Sequence, residues 1–117
     1  MENIIILRQR PIIAFDFDDT IADSATEYSE QIAVVGLRYI SGCIYSDQDV
    51  TLYMEEGLVH TAAGVVTWRW STSDAIVAGV ARKLEYTIDG KYLRMAVNNS
   101  SGNTANVEAY FECRGMY

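Results

Sequence analysis

The sequence predicts an all-β protein: an antiparallel β-sandwich, or a jelly-roll-like variant of one, in a single domain with an N-terminal arm or edge strand. Three observations lead there. From about residue 37 onward, apolar and polar residues alternate with a period of two, the pattern of strands with one buried face. Clusters of turn-forming residues cut that alternation into short runs. The one proline, Pro11, precedes the runs, so almost nothing blocks strand pairing. With no long helix between the runs, packed antiparallel sheets are the expected architecture.

The elements follow in order. Residues 1–10 are a possible arm, and residues 11–117 the sandwich domain. Ile4, Ile5, Ile6 and Leu7 are consecutive apolar residues that would invite aggregation if exposed. They fit an arm or edge strand that pairs with an adjacent subunit; a first strand inside the same domain is the other reading. A strand is expected over roughly Ile12 to Phe17, then an acidic turn in which Asp18, Asp19 and Asp23 bond to nearby backbone N–H groups. Ser24 and Glu27 have capping-box spacing, with Tyr28, Ile32, Val35 and Tyr39 at helical spacing after them.

Strands then come in quick succession. "RYISGCIYS" alternates Tyr39, Ser41, Cys43 and Tyr45 with Ile40, Gly42 and Ile44. "VTLYME" sets Val50, Leu52 and Met54 against Thr51, Tyr53 and Glu55. "VVTWRWS" puts Val66, Trp68 and Trp70 on one face, and "STSDAIVAG" reads as a loop or short apolar excursion. "RKLEYTI" and "YLRMAV" follow, the latter setting Leu93, Met95 and Val97 against Arg94. In the last strand Ala105, Val107, Ala109, Phe111 and Cys113 alternate with Asn106, Glu108, Tyr110, Glu112 and Arg114. "SDQD" is expected to close a hairpin, Asp89-Gly90 to form a two-residue type I′ hairpin, and "NNSSGNT" to be a longer loop.

Composition excludes several functions. The 117 residues make one domain, and 50% hydrophobic content suffices for a packed core. A net charge of −7 argues against a nucleic-acid partner, which needs clustered Lys and Arg. It suits docking on a basic protein surface instead. No apolar run approaches the about 20 residues that span a bilayer, so no membrane partner is expected. Cys43 and Cys113 are too few for a disulfide framework or a zinc site and read as free thiols.

The stretch "FDFDDTIADS" carries the strongest chemical signal. Preceded by Ile12, Ile13 and Ala14, it resembles the first motif of the haloacid dehalogenase-like phosphatases. The resemblance implies Asp16 as nucleophile, Asp18 as acid/base and Thr20 as a phosphate-orienting hydroxyl, beside magnesium. Two residues along an extended chain do put both carboxylates on one side. The family's later Lys and its further acidic pair have no counterparts, since no Asp follows Lys91 and only Asp89 follows Lys83. The family's parallel sheet also needs crossovers of a dozen or more residues that the short strands leave no room for. The match is therefore read as coincidental, the aspartates serving as turn and capping residues or, on the alternative reading, as a carboxylate cluster that binds a structural cation. Asp47 and Asp49 form a second acidic pair, as turn residues or, on the alternative reading, calcium ligands.

Other chemistry is sparse. His60, the single histidine, has no nucleophile in an identifiable motif, so no triad is supported. Trp68 and Trp70 on one face are expected in the core, or alternatively as a sugar platform. Tyr39, Tyr45, Tyr53 and Tyr110 lie on faces that alternate with the more apolar ones, as at protein interfaces.

From about Ile32 to Arg114 the chain resembles the small β-sandwich virion proteins of tailed phages. The acidic turn between two strands in "GLRYISGCIYSDQDVTLYMEEG" carries the resemblance, with the tryptophan strand, "YTIDGKYLRMAVNNSSG" and the closing "NTANVEAYFECRG". It implies a non-enzymatic structural protein on the capsid surface, of the decoration or cement type that stabilises a phage head. It further implies a homo-oligomer bound to the major capsid or another virion protein. Neither cofactor, metal nor catalytic residue is expected. The interface candidates are Ile4, Ile5, Ile6, Leu7, Tyr39, Tyr45 and Tyr53. The alternatives are a carbohydrate- or receptor-binding sandwich of a phage tail or fibre, and a small haloacid dehalogenase-like phosphatase.

Overall fold

Period-two alternation becomes strand throughout residues 12–115, which the computed structural model describes. The candidate arm residues Ile4, Ile5, Ile6 and Leu7 lie outside the described residues. The strands are β1 (Ile12–Ile21), β2 (Ala25–Tyr28), β3 (Ile32–Ala33), β4 (Leu37–Ser46), β5 (Val50–His60), β6 (Val66–Ile76), β7 (Arg82–Thr87), β8 (Tyr92–Asn99) and β9 (Ala105–Gly115). They form two antiparallel sheets. The first has the order β1-β9-β4-β7, and the second β2-β8-β5-β6, with β3 also on β8. Most consecutive strands alternate between sheets, and the strand order is that of a jelly roll, two interlocked Greek keys. The expected all-β sandwich is the fold.

The register explains the core. Along β9, Val107, Ala109, Phe111 and Cys113 face inward while Glu108 and Arg114 face out, as the alternation requires. Ile40 and Ile44 of β4 meet them, and Leu52, Met54, Leu93, Met95 and Val97 close the core from the second sheet. Gly42 faces inward directly opposite Phe111. A Cβ at Gly42 would collide with the Tyr110 carbonyl oxygen and come within 2.8 Å of the Phe111 ring. The aromatic ring therefore occupies the space that a side chain at position 42 would need.

Several local expectations are corrected. "SDQD" is not a hairpin turn: β4 and β5 belong to different sheets, so it carries the chain across the sandwich. Asp47 there accepts bonds from the Asn106 backbone N–H (2.8 Å) and side-chain amide (2.7 Å). These bonds hold its carboxyl below its usual range. Asp49 accepts the Ala78 N–H at 2.8 Å, so both carboxylates tie loops together. Asp89-Gly90 likewise crosses between sheets, and neither residue has the positive φ of a type I′ turn. The hairpin within one sheet is instead β5–β6, where His60 pairs with Val66. Ser71–Ile76 is not a loop but the second half of β6. No helix follows Ser24, whose φ is +67°; β2 and β3 lie there instead. β1 continues through Asp18 and Asp19 to Ile21, so only Asp23 of the three aspartates sits in the turn, where it accepts the Gly102 N–H.

What replaces the expected Asp89-Gly90 turn is a buried carboxylate. Glu56, 2% exposed, continues the inward face of Leu52 and Met54. Its Oε1 accepts the backbone N–H of Asp89 (2.8 Å) and of Gly90 (2.6 Å), and its Oε2 the indole N–H of Trp70 (3.3 Å). A charged acceptor with three donors offsets its own desolvation.

The tryptophans do not share a face. Glu56 lies opposite Trp70 and the next residue, Gly57, opposite Trp68, so three residues of β6 face two of β5. This bulge, with Arg69 as the extra residue, inverts the alternation between the two rings. Trp70 turns to the Glu56 side and Trp68 to the outer face. Trp68 is half-buried and Trp70 is 38% exposed, so neither is core.

Candidate functional site

Both sheets present an outer face, and the two differ in chemistry. On the first sheet, β1 turns Asp16, Asp18 and Thr20 outward while Phe15 and Phe17 face in. Register places Asp16 beside Tyr110 and Asp18 beside Glu108 on β9, then Cys43 and Tyr45 on β4. Lys83 lies beyond Cys43 on the edge strand β7. An open depression of about 370 Å³ runs between Asp16, Asp18, Cys43, Tyr45, Glu108 and Tyr110. Among the described residues in register on this face, five carboxylates (Asp16, Asp18, Glu85, Glu108, Glu112) stand against Lys83 and Arg114, with Arg38 exposed at the β4 bulge. Tyr110 donates to Glu112 at 2.6 Å and Arg114 donates to its other oxygen at 2.6 Å. The Tyr110 bond, with Arg114 second, holds the Glu112 carboxyl low, and the same bond raises the Tyr110 phenol.

Asp16 and Asp18 do share one side of a strand, as their spacing requires. That strand is antiparallel and belongs to a jelly roll, so the fold of the phosphatase alternative is overturned. The nearest lysine in register is three strands from β1, and the neighbours of the pair are Glu108 and Tyr110. An acidic pair flanked by another carboxylate repels a phosphate rather than stabilising one.

On the second sheet the outer face is built around Arg94 of β8. Its Nε bonds Glu55 Oε1 of β5 at 2.5 Å. Its guanidinium carbon lies 4.4 Å from the centre of the Tyr28 ring and 4.7 Å from that of Trp68, both within cation–π range. Tyr53 is in register with Ala96 and, across β8, with Tyr28. Tyr92 and His60 meet edge to face at 5.3 Å. Of the interface candidates, Tyr39 and Tyr45 thus lie on the first sheet and Tyr53 on the second, so the three do not form one patch. The sequence reading missed Arg94, Tyr28 and Trp68 as a cluster. Its one signal was Arg94, the charged residue on the polar side of "YLRMAV"; cross-strand partners cannot be read from one strand.

The cysteines are free, Cys43 on the exposed face and Cys113 in the core. Burial pushes the Cys113 thiol up to about 11. At about pH 8 a maleimide should label Cys43 in the native protein and both thiols after denaturation, read by intact mass; rapid native labelling of Cys113 would contradict its placement. The thiol's ordinary value is 9.0. Above that value the unfolded chain loses a proton that the folded chain keeps, so stability falls as pH rises through this window.

No family model and no curated protein matches the chain. Solved structures do. The PBSX exported protein XepA superposes with a TM-score of 0.68 at 16% identity, over 92% of this chain and 38% of that one. PirA gives 0.55 at 13% identity, covering 86% of this chain and 93% of its own. A protein of the Bacillus endospore appendages, a novel family of disulfide-linked pili, gives 0.53 at 10%, covering 94% of each chain. The chain thus spans 38% of the length of the exported protein. At these identities the likeness is one of fold, and the fold is the β-sandwich described above.

Proposed function

We propose that the chain is a non-enzymatic structural protein of a virion, of the capsid decoration or cement type, which docks through the outer face of its first sheet. The acidic, tyrosine-bearing face around Asp16, Asp18, Glu108 and Tyr45 is the observation that supports this reading. An excess of carboxylates on a rigid sheet is complementary to a Lys- and Arg-rich patch of a major capsid or other virion protein. Tyrosines among them supply contact area at low entropic cost. Sandwich architectures among exported and appendage proteins support the role by analogy of fold. In this reading the Ile4–Leu7 segment anchors the chain on a neighbouring copy, and the assembled protein is a homo-oligomer on the capsid surface.

The test uses virions of the phage that encodes the chain, assembled without it. Wild-type protein should co-sediment with them and be released as salt screens the contact. The variant carrying Asp16→Asn, Asp18→Asn and Glu108→Gln should bind at least about tenfold more weakly, about 1.4 kcal/mol. Equal binding by the variant would overturn the proposed docking face.

A further inference from the structure

We propose that the outer face of the second sheet binds a neutral oligosaccharide, on a platform formed by Tyr28, Trp68 and the Arg94–Glu55 pair. This site is separate from the acidic docking face and lies on the opposite side of the sandwich.

The argument begins with how Arg94 is held. Tyr28 of β2, Glu55 of β5 and Trp68 of β6 converge on it from three strands. Trp68 reaches this face only because the Arg69 bulge turns it away from Trp70. Gly57 makes the bulge possible: a Cβ there would fall 2.5 Å from the Thr67 carbonyl oxygen and 2.6 Å from Val66 Cγ1. The ion pair engages Nε, and among the described residues Nη1 and Nη2 of Arg94 have no hydrogen-bond partner. A guanidinium fixed by stacking thus offers donors in a set geometry, with little entropy left to lose on binding.

The surroundings select the ligand. Tyr28 is 51% exposed, so an aromatic ring reaches solvent beside the guanidinium. The two ring centres lie at most about 9 Å apart with the guanidinium over both, so a sugar meets the aromatic surface that Arg94 leaves open, chiefly that of Tyr28. Arg94 and Glu55 cancel in charge, which disfavours strongly charged ligands. Register extends the platform with hydroxyls and an amide: Thr26 lies beside Asn98, and Asn98 beside Thr51. The Asn98 amide is fixed by donating to Thr26 (2.9 Å) and accepting from Ser100 (2.6 Å). Ala96, buried on this face between Tyr28 and Tyr53, adds no side chain above a floor of methyl height. Leu58, Val59 and Val65, the exposed aliphatics of the β5–β6 hairpin, lie towards its tip, away from the Tyr28–Ala96–Tyr53 row. Aromatic faces that take the C–H side of a sugar ring, ringed by fixed hydroxyl, amide and guanidinium groups, suit a polyol. The apolar centre of a protein hot spot is absent from these rows.

Affinity electrophoresis of the isolated chain tests this directly, in gels containing galactomannan, xylan, β-glucan or dextran, with polygalacturonate as an acidic arm. At least one neutral polysaccharide should retard the wild-type protein, with a change in tryptophan fluorescence on titration. Tyr28→Ala and Trp68→Ala should each weaken binding at least tenfold. Trp70→Phe, off the platform, should leave it unchanged. Arg94→Lys keeps the charge but loses the planar donors, and should weaken binding while leaving the melting temperature nearly constant. Retardation by polygalacturonate alone, no retardation in any neutral gel, or equal binding by Tyr28→Ala and Trp68→Ala would each overturn the proposal. Loss of virion binding in Tyr28→Ala without any glycan retardation would assign the face to a protein partner and overturn it as well. The acidic-face variant should bind the glycan normally, which keeps this result independent of the docking reading.

Discussion

Phe111→Ala should destabilise the protein by about 3–5 kcal/mol, measured by urea unfolding at unchanged m-value. Phe111 is fully enclosed, at 0% exposure, in the middle of β9. β9 is itself central, paired with β1 on one side and β4 on the other. Its ring covers Gly42, so truncation removes buried carbons and opens a void beside a residue with no side chain to fill it. Collapse into that void is resisted by ladders on both sides of β9. A loss below about 1 kcal/mol would mean that the ring is not enclosed and that the register of β9 is shifted by one residue.

Glu56→Ala should cost about 1–3 kcal/mol, the range for leaving hydrogen-bond donors without their acceptor in a partly buried network. The substitution leaves the N–H groups of Asp89 and Gly90 and the indole of Trp70 without their acceptor. Glu56→Gln should lose less, because an amide oxygen can still accept from Asp89 and Gly90 while its NH₂ opposes the Trp70 donor. Amide hydrogen exchange at Asp89 and Gly90 gives the local reading: both should exchange faster in Glu56→Ala than in Glu56→Gln. Equal stability of all three proteins would show that the β7–β8 crossing does not depend on this carboxylate.

The sandwich was legible because its strands bury one face each, and a buried face writes itself into every second residue. Val107, Ala109 and Phe111 against Glu108 show this most clearly. Connections were less legible. Asp-Gly and "SDQD" are good turn sequences, and turn chemistry fixes a local bend without saying whether the next strand returns to the same sheet or crosses to the other. The carboxylate that decides the first case, Glu56, is 33 residues away from Asp89 in sequence. The tryptophan pair misled for a related reason. Strict alternation puts Trp68 and Trp70 together, and a bulge set by Gly57 on the neighbouring strand separates them. The Asp16–Asp18 spacing was read correctly as one-sided, and its surroundings came from β9 and β4, far along the chain. The Arg94 platform draws on four strands, so no single run of sequence could announce it.

The central claim, assembly on a virion through the acidic face of the first sheet, is tested most directly by zero-length carbodiimide cross-linking of purified virions followed by peptide mass spectrometry. The account predicts the chain in many copies per particle, with Asp16, Asp18 or Glu108 joined to lysines of a capsid protein. Absence of the chain from purified particles, or cross-links confined to carboxylates of the second sheet such as Glu55, would contradict it.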